Sequence, residues 1–217
     1  MSPPSQRKVT LMALVVLIWI LGSLFGLYWF QQQSMRPFVE ASDPASARDP
    51  AIVEAGLREL LLRLPESEKH SDHKVTVVHL WNPDCLCNSV SARHTSAIIN
   101  EWPDSPDVRF VILTPTSTSD ESLSEARKVY PNAVIMKALP TDTLPLTASP
   151  GLGIVSATGD MAYFGAYGFG ALCTLSDEAL FTNMIKQLLS GKDYGPFLNI
   201  AGSGCFCDWP TATDSAP

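Results

Sequence analysis

Between Val9 and Phe30 the chain is apolar at nearly every position and carries no charge, a pattern that does not recur later. About 20 such residues cross a hydrocarbon core, and Tyr28 and Trp29 suit the headgroup level. The pattern predicts one transmembrane helix over residues 9–30. Arg7 and Lys8 precede it, so residues 1–8 are expected in the cytoplasm and the remainder on the far side. No small-x-small cleavage site stands before QQQSMRPF, which favours an uncleaved anchor over a signal peptide.

Residues 31–50 are rich in Pro, Ser, Ala and Asp and read as a linker. Helical periodicity then begins, with Asp49 as cap and Pro50 in the first turn. Val53, Leu57, Leu60, Leu61 and Leu64 line one face, and Pro65 ends the helix. VTVVHLW (75–81) and VRFVILT (108–114) read as buried strands, and AVIMK (133–137) as a short third one. Between them, Ser89 to Trp102 and Ser119 to Tyr130 read as helices stopped by Pro103 and Pro131. From Pro150 to Gly168 the pattern is a hairpin, with Ile154 and Val155 on one strand, Ala162 to Phe164 on the other and Thr158-Gly159-Asp160 at the turn. Thr174 and Asp177 are capping candidates for a last helix with Phe181, Met184, Ile185 and Leu188 on one face. This order predicts an α/β sandwich with a central sheet over residues 51–191, followed by a tail over 192–217.

The 217 residues hold 15 Lys and Arg against 22 Asp and Glu, with 4 His. No basic stripe appears, so no nucleic-acid partner is expected. Beyond the anchor, an oxidising compartment gives the five cysteines, Cys85, Cys87, Cys173, Cys205 and Cys207, a different meaning from cytosolic thiols. Their number is odd, so at least one is free, paired between molecules or bound to something.

The strand His79-Leu80-Trp81 running into Asn82-Pro83-Asp84-Cys85 at the head of a helix resembles the thioredoxin superfamily. So does Ser149-Pro150 ahead of the glycine-turn hairpin with Tyr163 and Gly165. The membrane-tethered TlpA-like and ResA-like proteins are similar in layout. The whole chain also resembles a group of bacterial thioredoxin-like membrane proteins ending in Gly-Cys-Phe-Cys. The resemblance implies a thioredoxin-like α/β/α sandwich with a central mixed sheet, in the periplasm and tied to the inner membrane by residues 9–30. It implies Cys85 as nucleophile, favoured at a helix N-terminus, and Pro150 as a cis-proline whose neighbouring backbone can pair with a substrate chain. It puts His79 beneath the cysteines, as a proton relay or as a hydrogen-bonded strand-end histidine, and Trp81 in packing beside the site.

The family's second cysteine would fall at Asn88, whereas the sequence has Cys87 one place earlier. A Cys85–Cys87 disulfide would be a tight ring, so Cys87 or Cys173 is the expected resolving partner. Asp84 would raise the Cys85 thiol pKa if close, and His94 is expected on the exposed side of its helix. The tail pair Cys205 and Cys207, with Phe206 and Trp209, can dock back and bond or exchange with Cys85 or Cys87.

Three readings follow. One is a thiol–disulfide oxidoreductase acting on envelope protein thiols and disulfides. Another is a non-catalytic adaptor with structural disulfides. The last is a Cu(I)- or Zn(II)-binding protein using the two Cys-x-Cys pairs, although the spacing is shorter than the about two to four residues usual for structural zinc. No cofactor or metal ligand set is assigned.

Overall fold

A computed structural model describes residues 6–69, 73–170 and 178–210. The chain forms two units, Met1–Met35 and Arg36–Pro217. In the first, α1 (Gln6–Ser34) contains a stretch, Gln6–Trp29, long and apolar enough to cross a membrane. Leu17, Trp19 and Phe25 are among its many exposed apolar side chains.

The second unit begins with β1 (Arg36–Pro37), a 3-10 turn over Ala45–Arg48, α2 (Pro50–Leu62) and the short α3 (Glu66–Lys69). It continues through β2 (Val75–Leu80), α4 (Asn88–Glu101), β3 (Val108–Thr114), α5 (Asp120–Val129) and β4 (Val134–Lys137). Then come β5 (Ala148–Ser149), β6 (Gly151–Ser156), β7 (Met161–Gly165), α6 (Glu178–Leu189), β8 (Phe197–Asn199), β9 (Ser203–Gly204) and β10 (Cys207–Asp208).

Six strands form one mixed sheet in the order β4-β3-β2-β6-β7-β8. β2, β3 and β4 are parallel, β6 is antiparallel to both β2 and β7, and β8 runs parallel to β7. β2 is buried on both faces, which its β-branched start, Val75 to Val78, anticipates. Val78 and Leu80 face the core formed with Val53, Leu57 and Leu60 of α2. Val75 and Val77 face Ile98 of α4 and Phe181, Met184 and Ile185 of α6. The expected α/β/α sandwich is thus present. Asp49 caps α2, its side chain accepting from the Ala51 N–H. That helix ends at Leu62, before Pro65, which instead precedes α3. Thr174 and Asp177, the expected caps of α6, lie outside the described residues.

Two boundaries read from composition are corrected. Residues 36–50 are not a loose linker: the Phe38 side chain is buried, and β1 pairs with β9. One large aromatic anchor outweighs a Pro- and Ser-rich neighbourhood, because burying it contributes about 2–3 kcal/mol. Nor is 192–210 an appended tail. β8 extends the main sheet, and it can do so because Gly165 has φ +143 and no side chain: a Cβ there would lie 2.1 Å from the Asn199 carbonyl oxygen.

Candidate active site

β2 ends at Leu80, and the Trp81 N–H donates to the Leu113 carbonyl, one more bond to β3 beyond the strand's end. The next residues fold around Asn82. Its side chain accepts from the Asp84 N–H, and its carbonyl accepts from both the Cys85 N–H and the Asn88 side-chain amide. An Asn-Pro-Asp sequence suits such a turn, because the Asn side chain mimics a backbone acceptor and Pro presets φ. Cys85 therefore precedes the helix by one tight turn, and Cys87, not Cys85, is the N-cap residue of α4.

From the opposite end of the chain, β10 lies antiparallel to β5, pairing Cys207 with Ser149 and Asp208 with Ala148. The two Cys-x-Cys segments meet there in two disulfides, Cys85–Cys207 and Cys87–Cys205. Cys85 is 4% exposed, whereas Cys207 is only half-buried. The Sγ atom of Cys85 lies 3.6 Å from the Ser149 carbonyl oxygen, and the Ser149-Pro150 peptide bond is cis. Cys85 thus lies beside the cis Ser149-Pro150 bond, and its disulfide partner is Cys207. Cys87 is bonded to Cys205, and Cys173 lies outside the described residues.

Aromatic side chains fix the incoming segment. Phe206 sits edge-on to Phe38 at 5.2 Å and to Phe169 at 6.3 Å, and Trp209 is buried in the same core. Arg36 reaches Asp208 at 2.6 Å, which holds the Arg36 guanidinium above its ordinary pKa. Leu86, between Cys85 and Cys87, is 90% exposed. Two buried polar atoms flank the site, Ser149 Oγ and Asn88 Oδ1, and neither has a hydrogen-bond partner among the described residues.

Behind the cysteine loop, His79 is buried, and burial pushes its pKa down to about 4, against a smaller opposing effect of the Gly151 backbone. Its Nδ1 lies 2.8 Å from the Tyr167 hydroxyl, itself held well above the usual phenol range by burial. His79 is therefore a neutral, hydrogen-bonded core residue at neutral pH. His94 is also buried, contrary to expectation. The inward stripe of α4 runs through Ser91, His94, Thr95 and Ile98, and the His94 ring stacks on Tyr167 at 6.1 Å. A polar residue at helical spacing from Ile98 was the available signal. Trp81 is partly exposed beside the loop, and Asp84 is exposed.

Strand order, cysteines at the start of a helix and a cis-proline opposite them define a thioredoxin-like domain. The chain belongs to the family described as a domain of unknown function (DUF6436), which matches residues 55–209. That span includes both Cys-x-Cys segments. A hypothetical protein from Sinorhizobium meliloti 1021 is similar in fold, with TM-score 0.53 and 12% identity over 66% of this chain and 83% of that one. A putative thioredoxin from Neisseria meningitidis gives TM-score 0.44 and 13% identity, over 56% of this chain and 79% of that one. A secreted Mycobacterium tuberculosis disulfide oxidoreductase homologous to E. coli DsbE gives 0.42 and 15%, over 58% and 90%. No curated protein matches the chain.

Proposed function

We propose that this protein is a thiol–disulfide oxidoreductase, tethered to a bacterial inner membrane by residues 9–30 and acting in the periplasm on thiols and disulfides of envelope proteins. The observation that carries this reading is the Cys85–Cys207 disulfide beside the cis-proline of a thioredoxin-like domain. The long apolar α1 supports the anchor, Arg7 and Lys8 support the orientation, and paired cysteines fit an oxidising compartment.

In the oxidising direction, a partner thiolate attacks one sulfur of the Cys85–Cys207 bond. A mixed disulfide forms and the other sulfur leaves as a thiolate. A second partner thiol then displaces the bound sulfur. The partner loses two electrons and two protons, and Cys85 and Cys207 gain them. The reverse sequence reduces a partner disulfide. Cys87–Cys205 is a second couple with the same chemistry.

The test is differential alkylation and peptide mass spectrometry on the full chain in detergent micelles. A Cys85–Cys207 bond that opens under mild dithiol reductant and reforms, with exchange abolished in Cys85→Ser, upholds the reading. A bond that resists such reductants makes the protein an adaptor with structural staples.

A second reading rests on one observation: the sulfurs of Cys85, Cys87 and Cys207 lie within 4.8 Å of one another. Once reduced, such a cluster suits a soft ion such as Zn(II) or Cu(I), which binds thiolates at about 2.3 Å. Stoichiometric metal that shields the reduced thiols from alkylation would put this reading first.

A further inference from the structure

We propose that Cys87 is an internal nucleophile: when the Cys87–Cys205 bond is opened, the Cys87 sulfur displaces Cys85 from Cys207. The half-reduced protein then carries a free Cys85 thiol, while its tail stays bridged to the loop through Cys87–Cys207. The inference rests on the redox reading above and gives the order in which the bonds of that same site move.

The sulfurs of the two bridges are not separate. The Sγ atoms of Cys85, Cys87 and Cys207 lie within 4.8 Å of one another, although within this trio only Cys85 and Cys207 are bonded. Cys87 therefore stands beside a bond that is not its own. A disulfide holds its sulfurs about 2 Å apart, and a change of rotamer at Cys87 can close the remaining gap. Cys87 is also the N-cap residue of α4, and its side chain makes no hydrogen bond there. Free N–H groups and the helix dipole at that end favour a thiolate over a thiol. Of the two sulfurs within its reach, Cys207 is the better target, because a Cys85–Cys87 bond closes a tight ring across Leu86. Cys85 is then the leaving group.

The tail holds its place while the Cys87–Cys205 bond opens. Cys85–Cys207 is still closed at that moment, and Cys207 and Asp208 stay paired with Ser149 and Ala148. The Trp209 N–H donates to the Thr147 carbonyl at 2.9 Å, and Phe206 packs on Phe38 and Phe169. Thiolate and disulfide are thus fixed in one molecule, which makes the displacement unimolecular. The bridge that opens first has an accessible end: Cys205 is partly exposed, whereas Cys87 is 9% exposed.

An outside dithiol attacks Cys205 through one thiolate. The bond between them forms, and Cys87 leaves as a thiolate. The dithiol's second sulfur then displaces Cys205, which takes a proton. The dithiol loses two electrons and two protons, one proton going to Cys205 and the other to solvent. The Cys87 thiolate next attacks Cys207 Sγ. The Cys87–Cys207 bond forms, the Cys85–Cys207 bond breaks, and Cys85 leaves as the thiolate. This last exchange moves no net electrons and runs in either direction. It frees Cys85 beside the cis Ser149-Pro150 bond in a protein that has taken up only two electrons.

The test uses the full chain in detergent with Cys173→Ser, so that only the four site cysteines remain. The chain is treated with limiting dithiothreitol, quenched in acid to stop exchange and digested with pepsin. Fragmentation mass spectrometry then maps the species with two free thiols. The expected species has Cys85 and Cys205 free and a Cys87–Cys207 bond. Any other free pair overturns the proposal: Cys87 with Cys205 shows that no displacement follows, and Cys85 with Cys207 shows that the reductant opens the other bridge. If neither bridge opens, the redox reading fails, and a second variant decides the proposal separately. In Cys205→Ser with Cys173→Ser, Cys87 has no partner from the start and no reductant is needed. A Cys87–Cys207 bond in part of that chain at about pH 8.5, near the ordinary thiol pKa, upholds the displacement. Cys85–Cys207 as the sole bond, a Cys85–Cys87 bond, or disulfide-linked dimers in place of that isomer overturn it.

Discussion

Cys207 faces Ser149 across a two-residue antiparallel ladder while its sulfur is bonded to Cys85, so one residue links the strand before the cis-proline to the loop after β2. The arrangement sets the order in which the bonds matter for stability. The two disulfides are nested, with sequence separations of 122 and 118 residues. While one is closed, the other closes only a small ring through Leu86 and Phe206.

Loop-closure entropy therefore predicts unequal losses. Removing either disulfide alone, by Cys85→Ser with Cys207→Ser or by Cys87→Ser with Cys205→Ser, is expected to cost about 2 kcal/mol, and removing the second about 5 kcal/mol more. Guanidinium unfolding of the three variants checks this. Equal, additive losses would show that the bonds do not share a loop.

Acid should destabilise the domain through His79. Its folded pKa of about 4 lies below its unfolded value of 6.5, so between those values the unfolded chain binds the extra proton. Stability from the neutral imidazole is complete above about pH 6.5 and lost as the pH falls towards 4, a change of about 3 kcal/mol. Denaturant titrations across that window should show the decline, and His79→Gln should flatten it.

Tyr167→Phe removes the hydroxyl that meets His79 Nδ1. A buried ring nitrogen without that partner costs about 1–3 kcal/mol. Thermal unfolding at neutral pH is the readout, and an unchanged midpoint would show that the pair contributes nothing.

Phe38→Ala tests whether the segment before α2 is part of the domain. Phe38 packs on Phe164 and Phe206, so its truncation should cost about 3–5 kcal/mol. It should also quicken reduction of Cys85–Cys207, measured by alkylation rate. A loss below about 1 kcal/mol would restore the linker reading.

Much of the sandwich is legible because its signals are local. β2 and β3 are short apolar runs rich in β-branched residues, Asp49-Pro50 announces α2, and proline follows α4 and α5 closely. The cysteine loop is legible in kind, since Asn82-Pro83-Asp84 must turn before the helix. Its partner is not. Nothing near Cys85 distinguishes Cys87 from Cys207, because that choice is made by Phe206, Trp209 and Arg36 from opposite ends of the chain. The same reason hides Phe38: composition averages over a window, whereas one aromatic ring decides where the segment sits. His94 falls on the helical stripe with Ile98, but the Tyr167 ring that it stacks on is distant in sequence and leaves no local sign.

The bonds from Cys85 and Cys87 to the last strand also change what a cut in the chain means. A protease nick anywhere from Asn88 to Gly204 severs the backbone but leaves two pieces covalently joined. The helix at one end and the tail at the other stay in one molecule until both sulfur bridges open. For a cut within that span, reduction therefore decides whether the C-terminal piece is released from the N-terminal helix.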